Sequence, residues 1–248
     1  YTQFDFIVKY LRWRGFEVNY LQNITDLDDK IIQRAAERGI SWRQLADDYE
    51  KIYKDDMLAL RNTAVSKFAR ATDYIENIVS QVKRMVDKGL AYQAPDGSWY
   101  FEIAKFKDYG KLSGRTELKE TDGVSRIDES DFKRGWNDFC LWKSSKEGEP
   151  SWETELGKGR PGWHIEDTAI AEVEFGPQYD IHGGAIDLIF PHHEAEITQI
   201  ESITGKVPFV RYWMHAGFLN INAQKMSKSL GNFKTIRDVL KQYDYRVL

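Results

Sequence analysis

Apolar positions in the opening residues recur first at helical and then at strand spacing. Phe4, Ile7, Val8 and Leu11 fall on one helical face, and Gly15 closes the run, which predicts a first helix. The β-rich run "FEVNYLQNI" then predicts a strand. "TDLDDKIIQRAAERG" begins with a capping Thr or Asp and stops at Gly39, a second helix. "SWRQLADDYEKIYKDDMLALR" is a third, opened by Ser41. A helix feeding straight into a buried-looking strand lacks a partner strand upstream, so the sequence is expected to begin inside a βαβ unit. "ATDYIENIVSQVKRMVDKGL" predicts another helix, capped by Thr72 or Asp73 and stopped at Gly89. "AYQAPDGSWYFEI" reads as a hairpin around a Pro-Asp-Gly turn. From Ala104 to Arg160 the chain is polar and rich in Gly, Lys, Asp and Glu, which suggests an inserted small domain or ordered loops.

The α/β pattern returns at "GWHIEDTAIAEVEFG", an apolar-alternating strand or the start of a helix. "YDIHGGAIDLIFPHHEAEITQIESITG" predicts a strand, a Gly-Gly turn, a strand end and a helix, and "FVRYWMHAGFLNINAQ" a further strand. An amphipathic run, "FKTIRDVLKQYD", follows near the end, with no internal repeat or low-complexity segment before it.

Composition narrows the class. The chain has 248 residues, 42% apolar and 30% charged, enough for a real core, and eight tryptophans argue against disorder. No apolar run approaches the ~20 residues that span a bilayer, and no secretory signal pattern opens the chain. Cys140 is the single cysteine, which excludes a disulfide framework and a cysteine-rich zinc site and suits a reducing, cytoplasmic setting. The formal net charge of −4 predicts no global attraction to nucleic acid, although local basic clusters can still contact phosphate.

Four stretches carry candidate chemistry. Gly183-Gly184 after "YDI", with the carboxylate of Asp187 three residues on, has the parts of a nucleotide site at the carboxyl end of a parallel sheet; a plain tight turn uses the same residues. In "PHHEAEITQIES", His192 and Glu196 are four apart and share a helical face, while His193 and Glu194 point elsewhere. That pair makes two legs of a zinc site or an acidic helix N-terminus favoured by the dipole. Trp163 and Asp167, taken singly, read as core and cap. "KMSKS" at 225–229 puts Lys225 and Lys228 three apart, either in a surface turn or in a mobile clamp that follows charge on a polyphosphate.

Together these strings resemble the class I aminoacyl-tRNA synthetases and, within them, the cysteinyl-tRNA synthetase family. "NITDLDDKII", "RATDYI", "DFCLWK", "GEPSWE", "GRPGWHIE", "IHGGAIDLIFPHHEAE", "YWMHAGF" and "KMSKSLGNF" fall in the family's order over nearly the whole chain. The resemblance implies an α/β Rossmann-type parallel-sheet catalytic domain, residues 1–71 and 162–220. A connective insertion, 72–161, would interrupt it, and the KMSKS loop with the start of a stem-contact region would follow at 221–248. It implies ATP-dependent activation of cysteine to an aminoacyl-adenylate and its transfer to tRNA, expected to be tRNA-Cys. ATP enters as substrate, with Mg2+ and one Zn2+. Lys225 and Lys228 would neutralise the β- and γ-phosphates within an ATP site of Gly183, Gly184, Asp187, Lys225, Met226, Ser227, Lys228 and Ser229. Thr25 and Trp163 would line the amino-acid pocket, and Asp167, His192 and Glu196 would be the metal ligands.

The chain departs from the family pattern in three ways. The "HIGH" motif, the first strand, an upstream zinc cysteine and the anticodon-binding region do not occur, so a catalytic-domain fragment that does not aminoacylate alone is expected. The family's "GWHIEC" reads "GWHIED" here, putting Asp167 where the zinc-binding cysteine stands. Exchanging soft sulfur for hard oxygen lowers the preference for zinc over magnesium or manganese. "HGGG", "HHENE" and "MHNG" become "HGGA", "HHEAE" and "MHAG", so Ala185, Ala195 and Ala216 each lose a polar group or a flexible glycine. The alternatives are a paralogous amino-acid ligase with an adenylate intermediate and a non-tRNA acceptor, and a non-catalytic nucleotide- or RNA-binding module.

Overall fold

The computed structural model describes residues 1–117, 132–221, 223–226 and 231–247. Helix α1 (Thr2–Trp13) leads through Gly15, at φ 91°, to the short strand β1 (Leu21–Ile24). Only these four residues of the predicted strand pair, in parallel, with β2 (Lys67–Arg70). Between them lie α2 (Asp29–Arg38) and α3 (Trp42–Ala59). Both start where a side chain can satisfy the orphan N–H groups of a first turn. The Ile31 amide donates to Asp28 at 2.6 Å and the Gln44 amide to Ser41 at 3.1 Å. The second parallel pair is β8 (Tyr179–Ala185) with β9 (Val210–Ala216), joined by α6 (Glu194–Thr204).

Strands β3 (Ala91–Gln93), β4 (Trp99–Phe101), β5 (Phe139–Ser144), β6 (Trp152–Thr154) and β7 (Gly157–Pro161) form an antiparallel sheet in the order β3-β4-β5-β7-β6. The predicted Pro-Asp-Gly hairpin is β3–β4, with Ala91 opposite Phe101. Helix α4 (Ile75–Asp87) packs between this sheet and helices α5 (Trp163–Phe175) and α6, so one apolar core runs through Ile78, Met85, Phe101, Leu141, Ile165 and Ile200. The chain closes with the short hairpin β10 (Asn220–Ile221) and β11 (Gln224–Lys225), and with α7 (Ile236–Leu240).

Two local expectations are corrected, and one left open is resolved. The α4 segment is not capped by Thr72 or Asp73; a 3-10 turn (Ala71–Tyr74) precedes it, and the Thr72 hydroxyl donates to Asp26 at 2.5 Å instead. Gly183 and Gly184 are not a turn but part of β8, opposite Met214 and His215. The segment beginning at Trp163 is a helix from its first residue. Its buried positions, His164, Ile165, Glu166, Thr168, Ala169, Ile170 and Ala171, run almost without a break, which hides any one-faced helical pattern.

Candidate active site

Helix α5 and the start of α6 meet against the ends of β8 and β9. All five histidines of the chain, His164, His182, His192, His193 and His215, lie there in mutual contact. A π-type turn (Ile189–His193) precedes α6, and Phe190 within it is non-helical at φ −135°, ψ 131°. The regular helical wheel fails at that irregularity. His193 therefore does not point away: it packs on His182, and its Nδ1 lies 2.8 Å from His215 Nε2. Glu194 does point elsewhere, and accepts the Gly110 and Ser113 amides at 3.2 and 2.6 Å.

Glu196 is the hub. It is fully buried, and neither of its carboxylate oxygens has a hydrogen-bond partner. Oε1 makes an ion-pair contact with His192 Nε2 at 3.0 Å, and Oε2 faces His182 Nδ1 at 3.6 Å. The one proton of His192 Nε2 is directed at Asp167 Oδ2, 2.7 Å away. The other Asp167 oxygen accepts from the Asn23 side-chain amide, across from β1. Burial disfavours a charge on His192, but the carboxylates of Glu196 and Asp167 outweigh it and push its pKa up to about 10. His193 and His164 are driven the other way, His193 by burial and the charge of His182, His164 by burial and that of His192, so both are neutral imidazoles. Burial, with Asp167 and Asp26 nearby, raises the pKa of Glu166 well above the usual carboxylate range.

Among the described residues, two sets of three side chains bring one donor atom each to within 4.8 Å of one another: Asp167, His192 and Glu196, and His182, His193 and Glu196. The first is the set expected from the sequence. A buried carboxylate without hydrogen bonds is costly unless a cation compensates it. His192 is one such cation for Glu196, and the donor sets around Glu196 also fit a divalent ion. Trp163 stacks on His192 with ring centroids 4.3 Å apart and walls one side of the cluster. Thr25, directly beyond β1, lines a cavity of about 450 Å³ with Tyr1, Asn23, Lys30, Arg34 and Tyr53.

The whole chain, residues 1–248, matches the family described as tRNA synthetases class I (C) catalytic domain. The chain belongs to that family. A cysteine–tRNA ligase of Thermoplasma volcanium is 56% identical over 98% of the chain and 53% of its own length. One from Thermococcus kodakarensis is 48% identical over 100% of the chain and 52% of its own length. The chain thus spans about half the length of the curated relatives it matches. Mycobacterium tuberculosis methionyl-tRNA synthetase bound by methionyl-adenylate superposes with a TM-score of 0.66 at 17% identity, over 92% of the chain and 55% of that protein. A putative arginyl-tRNA synthetase from Campylobacter jejuni gives 0.58 at 10% identity, over 98% and 55%. These likenesses establish the class I Rossmann-like α/β fold.

The flank of Gly183 is filled by the Phe4 ring, where an added Cβ would approach to 2.6 Å, and that of Gly184 by His193, also at 2.6 Å. Packing alone thus requires both glycines, whatever ligand approaches. Asp187 sits in a 3-10 turn (Ile186–Leu188) directly beyond β8. Ala185 and Ala216 face each other across β8 and β9, and Ala195 is buried in α6. The backbone of Lys225 belongs to β11, and the Met226 amide donates to Leu219 at 2.9 Å. Ser227, Lys228 and Ser229 lie outside the described residues. Among the described residues, no helix is long and apolar enough to cross a membrane. Sequence reasoning missed four of the histidines and Asn23. The signal for the histidines was their confinement to positions 164–215.

Proposed function

We propose that the whole protein carrying this chain is a cysteine–tRNA ligase. It activates cysteine with ATP to an aminoacyl-adenylate and passes the acyl group to tRNA. The reading is carried by the 56% identity to a cysteine–tRNA ligase over 98% of the chain. On this reading residues 72–161 are a connective insertion between the halves of the ATP-binding domain. Gly183, Gly184 and Asp187 receive adenosine, while Lys225, Lys228, Met226, Ser227 and Ser229 close on the phosphates, which arrive with Mg2+. As the cysteine carboxylate attacks the α-phosphate, negative charge grows on the departing pyrophosphate. Ammonium groups from the two lysines offset it most strongly where water is excluded.

Asp167, His192 and Glu196 are the residues that would hold a zinc ion at the floor of the amino-acid pocket. When bound, zinc supplies a Lewis-acid position that takes a thiolate in preference to a hydroxyl, a distinction a plain pocket makes poorly. The protein groups do the rest. Asn23 holds Asp167 by one oxygen and leaves Oδ2 facing the cluster. Trp163 fixes the His192 ring by stacking, and Thr25 lines the cavity that Asn23 also lines. Cytoplasmic placement follows from the same reading. The test is ATP–pyrophosphate exchange by the whole protein: cysteine-dependent exchange that exceeds the serine-dependent rate is expected. Exchange that cysteine does not stimulate would overturn the assignment.

A further inference from the structure

His182 and His193, which form the second set of donors with Glu196, have no part in the proposed activity. We propose that this set is a second metal seat, sharing Glu196 with the first, and that it is the tighter of the two for zinc. Imidazole nitrogen suits zinc, whereas carboxylate oxygen also suits magnesium and manganese. Asp167, His192 and Glu196 offer one imidazole and two carboxylates; His182, His193 and Glu196 offer two imidazoles and one carboxylate. Two histidines and a glutamate are a donor set that catalytic zinc takes, with a fourth position left for water or substrate.

The surrounding contacts favour the same seat. A zinc-ligating histidine ordinarily uses its other ring nitrogen to anchor the ring on a neighbour. His193 has that anchor in the 2.8 Å contact from its Nδ1 to His215; His182 is held by the Tyr179 hydroxyl at the Nδ1 that also faces Glu196. Glu196 turns one oxygen toward His192 and the other toward His182, the posture of a carboxylate that can serve both seats. Its carboxylate is fully buried, with the His192 ring at 3.0 Å as its one close cation among the described residues. His182 is the most accessible member, with a side chain 18% exposed, which gives an ion an entry path beside β8.

The inference rests on these side chains and survives failure of the cysteine reading, which the exchange assay tests separately. Zinc K-edge X-ray absorption on the whole protein, loaded with one equivalent of zinc, counts the imidazoles directly. Two per zinc are expected. One per zinc, or no bound zinc, would overturn the proposal. Chelator competition gives an independent reading: His182→Ala should weaken zinc at least ~10-fold and Asp167→Ala less than ~3-fold. Equal losses, or the opposite order, would also overturn it. The absorption measurement uses the unaltered protein, so a variant that fails to fold leaves the proposal testable.

Discussion

The antiparallel sheet with α4 and the histidine cluster between α5 and α6 are both buried, but they are buried differently. The first is an apolar core: Trp142, Phe101 and Leu141 are fully buried, and Phe101 stacks on Phe139 with ring centroids 5.1 Å apart. The second encloses His192, His193, Glu194, Glu196 and Glu166 at similar depth, and Glu196 is compensated there by the His192 ring at 3.0 Å. Apolar burial stabilises a fold without further help. A buried carboxylate does so only with a compensating cation. The contrast separates a region that holds the fold from one that gives up stability to hold a ligand.

Substitutions sharpen the comparison in order of expected size. Trp142→Ala should remove about 3–5 kcal/mol of stability, measured by chemical denaturation, and leave zinc affinity within ~2-fold. Gly162→Ala comes next. Its Cβ would fall 2.1 Å from the Cys140 carbonyl oxygen, where β5 hands over to α5, and such overpacking costs about 1–3 kcal/mol. Asp29→Asn breaks the tie between α2 and the sheet. Asp29 accepts from Lys143 at 2.8 Å and from the Arg160 guanidinium, and Arg160 is buried. Leaving that guanidinium without its closest carboxylate should cost about 1–3 kcal/mol.

The same contact has a pH signature. Partial burial pushes the Asp29 carboxyl up, but Lys143 and Arg160 outweigh it and hold it below its ordinary value. A lowered carboxylate contributes stability above its unfolded pKa, about 3.9, and loses it as pH falls through the folded value. Asp29→Asn should therefore flatten the acid limb of the stability profile. The smallest stability change is expected at the hub. Without metal, Glu196→Gln removes a buried carboxylate while His192 keeps its contact with Asp167, so stability should change by less than about 1 kcal/mol, while zinc affinity falls more than ~10-fold. A large loss of stability without metal would erase the contrast between the two regions.

What could be read from the sequence follows the same division. Gly39 marks the end of α2 and Ser41 the start of α3 because caps act locally, and the Pro-Asp-Gly turn marks β3–β4 for the same reason. Strand β5 escaped notice because Phe139, Cys140, Leu141 and Trp142 are all buried, so no alternation betrays it. Helix α5 was ambiguous because it is buried on nearly every side. The Asp167, His192 and Glu196 set was visible through family resemblance and the i, i+4 spacing. The second set was not, because His182 comes from a strand and His193 from an irregular turn, and only the tertiary fold brings them to Glu196.

The most direct test of the central claim, that the polar core between α5 and α6 is built around a divalent ion, is amide hydrogen exchange of the whole protein with and without zinc. Zinc should slow exchange in Trp163–Phe175 and Glu194–Thr204 and leave Trp99–Phe101 and Phe139–Ser144 unchanged. No change at the two helices, or an equal change in both regions, would contradict it.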